Sequence, residues 1–363
     1  MKKHKICKIL LVILAIFLCV AFYELLGICV AYKKQPEVSN TTKKETKNGS
    51  WNECSENTER AVIIEKNPEA LLQRVRLIKN AKKEIILSTF AFQSDESGKL
   101  ILGALHDAAD RGVHIRLLVD GMESWIDMEG NPYFYGLSSH ENVEIKLYNK
   151  ANPLKPWKMM GRMHDKYLIA DGKRYILGGR NTYNYFLGDF PGHKNYDRDV
   201  LVVCDEPEKE NSVNQLSEYF ETIWNQEDSG YFHNNKKLAN RKSVKNAVLE
   251  LQNGYQKYFE ENKERICDTD YTDETFETEK IALVSNPIHT GSKEPVVWYQ
   301  LGELMKNAKN RVKIHTPYII CNDMMYNTWE EIAENVSDFS IMTNSVANNG
   351  NPFGSADYAK NRN

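Results

Sequence analysis

Residues Arg162–Phe186 read RMHDKYLIADGKRYILGGRNTYNYF, and this stretch decides how the rest of the chain is read. Period-two alternation puts His164, Lys166 and Leu168 on one face of a predicted strand, with Met163, Asp165 and Tyr167 on the other. Asp171-Gly172 is predicted to form a tight hairpin turn. The strand RYIL then returns and brings Gly178, Gly179 and Asn181 beside His164. Glycines permit close approach of a ligand to the backbone, and the Asn181 amide can donate to an oxyanion. An imidazole, an ammonium and an amide converging on one point suit phosphoryl transfer. In this reading Lys166 and Asn181 hold the non-bridging phosphate oxygens. No metal or other cofactor is called for, since no carboxylate cluster is in view. Taken alone, Asp171 reads more as a turn former than as a catalyst.

Working outward, short β-rich runs alternate with helical patterns, as in an α/β sheet with helices on its faces. AVII (61–64), EIILSTFAF (84–92) and VHIRLLVD (113–120) are predicted strands. Helical periodicity follows Pro68 and recurs from Leu100 to Arg111. The grammar then repeats. LIKNAKKEIILSTFAF (77–92) aligns without gaps on LMKNAKNRVKIHTPYI (304–319), an offset of 227 residues. Leu77/Leu304, Lys79/Lys306, Asn80/Asn307, Ala81/Ala308, Lys82/Lys309 and Thr89/Thr316 are identical. Shared register through helix, turn and strand points to a duplicated unit.

The predicted organisation is a basic flank (1–8), an apolar anchor (9–32), a polar tether (33–60), a first repeat (61–205), a helical connector (206–280) and an incomplete second repeat (281–363). In the connector, the aromatics of SEYFETIW (217–224) are expected to pack on the first repeat. The run from Ile9 to Tyr32 is apolar apart from Glu24 and bracketed by lysines. It is long enough to cross a ~30 Å hydrocarbon core. A cleaved signal peptide is the competing reading. The immediate lysine flank favours an extracytoplasmic body, although the wider count of lysines nearly cancels that preference.

Composition narrows the function further. Among 363 residues, 41% are hydrophobic and 27% charged, with a formal net charge of −3. That balance argues against a protein that coats nucleic acid. Seven cysteines without a CxxC pair exclude a zinc-finger framework. The aromatic runs NPYFYG (131–136) and WKMM (157–160) read either as loop packing or as a lipid-facing rim.

The motif HxKx4D followed by GGxN, with YDRDVLVV downstream, resembles the HKD motif of the phospholipase D superfamily, in the form of bacterial cardiolipin synthases. HTPYII (315–320) and the segment 343–363 resemble parts of the second half in that branch. The resemblance implies two α-β-α sandwich repeats sharing one active site. It also implies a phosphohistidine on one motif's histidine, with protonation of the leaving alcohol by the other's. His164, Lys166, Asp171 and Asn181 match the catalytic positions, and Lys166, Gly178, Gly179 and Asn181 the phosphate-binding ones. Asp199 matches the acidic residue that orients the histidine, with Asp197 as the second candidate; a solvated strand edge is the bland alternative for both. A second HxKx4D is not found. The repeat offset puts its histidine near position 391, beyond Asn363, so the chain is expected to be truncated and feebly active by itself.

The expected substrate is an anionic phospholipid such as phosphatidylglycerol, met at a membrane. The expected reaction is phosphodiester cleavage or phosphatidyl transfer. A homodimeric nuclease of the same superfamily and a catalytically incomplete lipid-binding fragment are the alternatives.

Overall fold

The computed structural model describes residues 2–49, 59–207, 211–348, 355 and 358. The chain opens with α1 (Lys2–Ala31) and a short α2 (Asn40–Lys47). Next come β1 (Arg60–Ile64), α3 (Asn67–Asn80), β2 (Glu84–Thr89), α4 (Glu96–Asp110), β3 (His114–Asp120), α5 (Glu123–Met128), α6 (Pro132–Ser138) and β4 (Val143–Tyr148). The hairpin β5 (Tyr167–Ala170) and β6 (Arg174–Gly178) follows. After it come β7 (Asp199–Val203), α7 (Ser212–Trp224), β8 (Ser229–Tyr231), α8 (Lys242–Glu261), α9 (Lys263–Cys267) and β9 (Phe276–Glu277). The last elements are α10 (Val296–Lys306), β10 (Arg311–His315), α11 (Asp323–Asn335) and β11 (Asp338–Met342). The chain divides into two compact units.

The larger unit is built on a nine-stranded sheet in the order β8-β4-β3-β2-β5-β6-β7-β1-β9. Strands β2, β3 and β4 run parallel, and pairing is antiparallel from β2 through β5, β6, β7 and β1 to β9. Alternation along the central strands feeds two cores. Ile85, Leu87, Ile115 and Leu117 join the core with α3, α4, α6 and α8. Ile86, Leu118, Tyr167 and Ile169 join the opposite one with α7. The result is helix layers on both faces of a mixed sheet, the α-β-α sandwich expected for the first repeat. Phe220 and Trp224 of SEYFETIW are buried in the second of these cores. The segment 206–280 therefore supplies outer layers of this unit rather than a free connector. NPYFYG becomes the start of α6, capped by Asn131, with Phe134 and Tyr135 buried, so this run packs and forms no rim.

The smaller unit contains α10, β10, α11 and β11, with β10 parallel to β11, around a core of Val312, Ile332 and Val336. It repeats local details of the larger unit at the 227-residue offset. Asp95 caps α4 by accepting from Gly98 N at 3.0 Å, and Asn322 caps α11 by accepting from Met325 N at 3.0 Å. Asn80 donates to Arg76 O at 2.9 Å, and Asn307 to Glu303 O at 2.8 Å. Thr89 donates to Ala91 O at 3.1 Å, and Thr316 to Tyr318 O at 3.0 Å. Duplication is thus written in hydrogen bonds as well as in identities.

Two expectations change. Residues 35–49 of the expected tether fold with the smaller unit. Ser39 N and the Thr42 hydroxyl donate to the Glu294 carboxylate at 2.8 and 2.7 Å, so polar contacts replace the missing apolar pattern. Residues 50–58 lie outside the described residues, as does most of the segment 343–363. Strand β5 begins at Tyr167, three residues after His164. The preceding stretch is held by side chains instead of a ladder: Asn149 donates to Gly161 O at 2.7 Å, and Met163 N donates to Asp120 at 3.0 Å.

The exit of the hairpin is pinned by a buried ion cluster. The Asp199 carboxylate lies 3.0 Å from Arg74 and 3.2 Å from Arg180. Arg180 also donates to Asn67, Ile64 O, Glu65 O and Asp197 O. Removing one member of a buried ion cluster leaves unpaired charge, at a typical cost of about 3–5 kcal/mol. Asp199→Ala is therefore expected to lower unfolding free energy by roughly that amount in urea titrations. A loss below about 1 kcal/mol, the range of an exposed pair, would show that the cluster is not holding the fold.

Candidate active site

The hairpin turn forms as its sequence demands. Lys173 N donates to Ala170 O at 3.0 Å, and Asp171 and Gly172 both take positive φ, 55° and 63°. Such turns match the right-handed twist of the flanking strands. The left-handed Asp171 is held by its own carboxylate. It accepts from the backbone N–H groups of Lys82, Lys83 and Glu84 at 2.7–3.1 Å. Asp171 thus fastens the turn to the start of β2, at the opposite end of β5 from His164, and does not join the catalytic cluster.

At the other end of the hairpin, His164 and Lys166 meet around one aromatic ring. Phe90 lies 4.5 Å from the His164 ring, centroid to centroid, at an interplanar angle of 59°. The cations of Arg162 and Lys166 lie 5.1 and 5.2 Å from the Phe90 centroid. The Lys166 ammonium, on a side chain buried to 5% exposure, donates to His164 O at 2.6 Å. Gly178 N donates to Lys166 O at 3.1 Å, which sets the returning strand beside this lysine. Asn181 accepts from Ala91 N at 3.2 Å, one residue beyond Phe90.

Gly178 and Gly179 have a clear steric reason. A Cβ on Gly178 would overlap the Asp199 carboxylate, and one on Gly179 the Asp197 carboxylate. The space expected for a ligand against these glycines is taken by two aspartates. Asp199 faces Arg74 and Arg180, so it is an ion-cluster residue in this geometry and does not sit on the imidazole. Asp197, packed against Gly179, adds negative potential at Lys166.

The carboxylate that organises His164 is Asp120, at the end of β3 and 1% exposed. It accepts from Met122 N and Glu123 N at 3.1 Å each, and from Met163 N at 3.0 Å. It also accepts from Arg162 Nε at 2.9 Å and Nη2 at 2.5 Å. Five donors thus converge on Asp120, three of them from Arg162 and Met163, the two residues that lead into His164. Sequence reasoning missed Asp120 and Phe90. VHIRLLVD does end in an acid at a parallel strand's C-terminal end, a usual place for a functional group in α/β sheets, but nothing in sequence joins it to Arg162.

Electrostatics follow from this packing. Loss of water around the ring, then the Lys166 charge, pulls His164 down to about 4, against a smaller upward pull from Asp120. Burial lowers Lys166 to about 8, opposed by Asp165, Asp197 and Asp120. Near neutral pH the pair is therefore a neutral imidazole beside an ammonium. That combination can attack an electrophilic phosphorus and hold its oxygens.

Residues 74–224 match the family profile described as "Cardiolipin synthase, PLD-like domain". A protein of Helicobacter pylori (strain ATCC 700392 / 26695) is 28% identical over 315 residues, 79% of this chain and 59% of its own length. Cardiolipin synthase C of Escherichia coli K12 is 30% identical over 154 residues, covering 39% of this chain and 31% of that one. Among solved structures, phosphatidylserine synthase of Haemophilus influenzae Rd KW20 superposes with a TM-score of 0.57 at 16% identity. That match covers 87% of this chain and 70% of the other, and shows a shared fold. The chain spans about three-fifths of the length of the Helicobacter relatives it matches. The matched profile and the mixed sheet agree in identifying residues 74–224 as a phospholipase D-like domain.

Proposed function

We propose that this chain carries one catalytic half-site of a membrane-anchored, cardiolipin synthase-like phosphodiesterase or phosphatidyltransferase, with His164 as nucleophile. The observation that carries the reading is the neutral His164 imidazole locked beside the buried Lys166 ammonium. An imidazole nitrogen donates its lone pair to phosphorus, a P–N bond forms, and the P–O bond to the leaving alcohol breaks. The leaving oxygen takes a proton from a general acid, a role the family resemblance gives to the histidine of a second motif. An alcohol or water then attacks and gives its proton to the conjugate base of that general acid, the new P–O bond forms, and the P–N bond returns its electrons to His164. Lys166 and the Asn181 amide stabilise the charge that builds on the phosphate oxygens. Asp120 and Phe90 are positioning residues, and Asp171 and Asp199 act through the fold.

The loop that leads into the site supports a lipid surface as the setting. Leu154, Trp157 and Met160 are 77%, 44% and 52% exposed. Tyr23 of α1 donates to Leu154 O at 3.1 Å. Within α1, Lys5–Ala31 is long and apolar enough to cross a membrane, with a mean hydropathy of 2.9. A bilayer-embedded α1 would place this loop at the headgroup level, with the substrate's phosphodiester beside His164.

Three outcomes test the reading. His164→Asn should abolish phosphodiester turnover on phosphatidylglycerol while leaving the thermal unfolding midpoint within a few degrees, because the ring contributes to chemistry more than to the core. Retention of most of the activity would refute the assignment.

The pH profile of kcat/KM should have limbs set by the two shifted groups. The nucleophile loses its proton as pH rises through about 4, so activity rises there. Lys166 loses its charge as pH rises through about 8, so activity falls there. Lys166→Arg should move the alkaline limb upward, because a guanidinium stays charged. Asp120→Asn should move the acid limb downward, because it removes a charge that favours protonated His164. Unmoved limbs in both variants would contradict the assignment.

Deleting residues 1–34 should shift the protein from the membrane pellet to the soluble fraction. Persistence in the pellet after a carbonate wash would contradict anchoring by α1.

A further inference from the structure

At the turn end of the β5–β6 hairpin lies a second concave site. It is separated from His164 by the length of the hairpin, on the order of 15 Å at ~3.3 Å per residue. The cavity measures about 410 Å³, within the usual range for a small-molecule site. Its walls carry Lys82, Lys83, Lys173 and Arg174, with Asp171 at the turn and Tyr271 opposite.

Four of its wall residues are cationic, and Asp171 is the single carboxylate among them. The three lysine ammonium groups have no ion-pair partner among the described residues. Arg174 spends one Nη on Asp205 at 2.7 Å, while its Nε is buried without a hydrogen-bond partner. Tyr271 is 4% exposed, held by the Arg76 guanidinium 3.9 Å from its ring centroid. Its hydroxyl is likewise buried and unpartnered. The carboxylate in the wall, Asp171, already accepts three backbone N–H groups. Both atoms are sealed from solvent, so the groups a ligand can reach are the three ammonium groups and the remaining edge of Arg174, whose guanidinium lies 5.3 Å from the Tyr271 ring centroid. A compact ligand with several acceptor oxygens and negative charge matches ammonium groups arranged around a guanidinium edge.

We propose that this cavity is a second anion site, distinct from the catalytic half-site, that takes a phosphate group, either free or on a phospholipid headgroup. Occupation would brace the Asp171 turn, which ties the hairpin carrying Lys166 and Gly178 to β2. The proposal does not depend on the reaction assigned to His164.

The test uses the full chain in phosphate-free dodecyl maltoside micelles and an amine-acetylating reagent. Modification is read at Lys82, Lys83 and Lys173 by peptide mass spectrometry, with Lys257, whose side chain is 80% exposed, as the control. Inorganic phosphate at millimolar concentration should slow acetylation of the three lysines several-fold and leave Lys257 unchanged. A parallel arm replaces the detergent with phosphatidylglycerol nanodiscs and omits phosphate; protection there identifies a headgroup as the source. Lys173→Gln should raise the phosphate concentration needed for half-protection of Lys82 and Lys83 several-fold. Absence of protection in both arms would overturn the proposal, as would equal protection at Lys257 or an unchanged midpoint in Lys173→Gln.

Discussion

A single buried carboxylate shared by two guanidiniums holds this structure in register. Asp199 opens β7 with its side chain against Arg74 of α3 and Arg180 at the exit of the β5–β6 hairpin. Three elements distant in sequence meet at that charge. Its proximity leaves no room for a Cβ at Gly178. Arg180 then uses its remaining donors on the backbone of residues 64, 65 and 197. The proposed catalytic residues flank this cluster: Lys166 lies beside Gly178, and Asn181 follows Arg180 directly. The positions of Lys166 and Asn181 are thus fixed next to an ion cluster.

The chemistry then rests on a contrast between desolvation and local charge. Removing water favours the neutral imidazole, and the adjacent Lys166 ammonium pushes the same way. The lysine pays a similar desolvation cost but has three carboxylates near enough to keep its proton at neutral pH. Burial therefore favours a neutral imidazole beside a cation. Phe90 lies against both, 4.5 Å from the His164 ring and 5.2 Å from the Lys166 ammonium.

What could be read from the sequence was whatever is written locally. The Asp171-Gly172 turn, the alternation of the central strands and the 227-residue repeat all depend on neighbours a few positions apart, and the structure reproduces them in its hydrogen bonds. Relations between distant segments were harder. Asp199 was expected on the imidazole, because its spacing from the motif matches that of an orienting acid. Two arginines, one of them in α3, claim it instead. Asp120 lies 44 residues before His164 in sequence, so its three hydrogen bonds from Arg162 and Met163 had no linear signature. Residues 35–49 lacked apolar periodicity and read as a tether, yet Glu294 captures them through Ser39 and Thr42. The segment 206–280 read as a connector because its polar faces dominate, whereas Val244, Leu251 and Tyr255 of α8 each bury one side against α4 and α6.

The central claim is that His164 forms a covalent bond to phosphorus. Rapid quenching at alkaline pH during turnover of phosphatidylglycerol, followed by peptide mass spectrometry, tests it directly. The account predicts an acid-labile phosphatidyl adduct on the peptide containing His164, present at early times and consumed when acceptor alcohol is added. Turnover with the adduct on a different residue, or with His164 unmodified throughout, would contradict it.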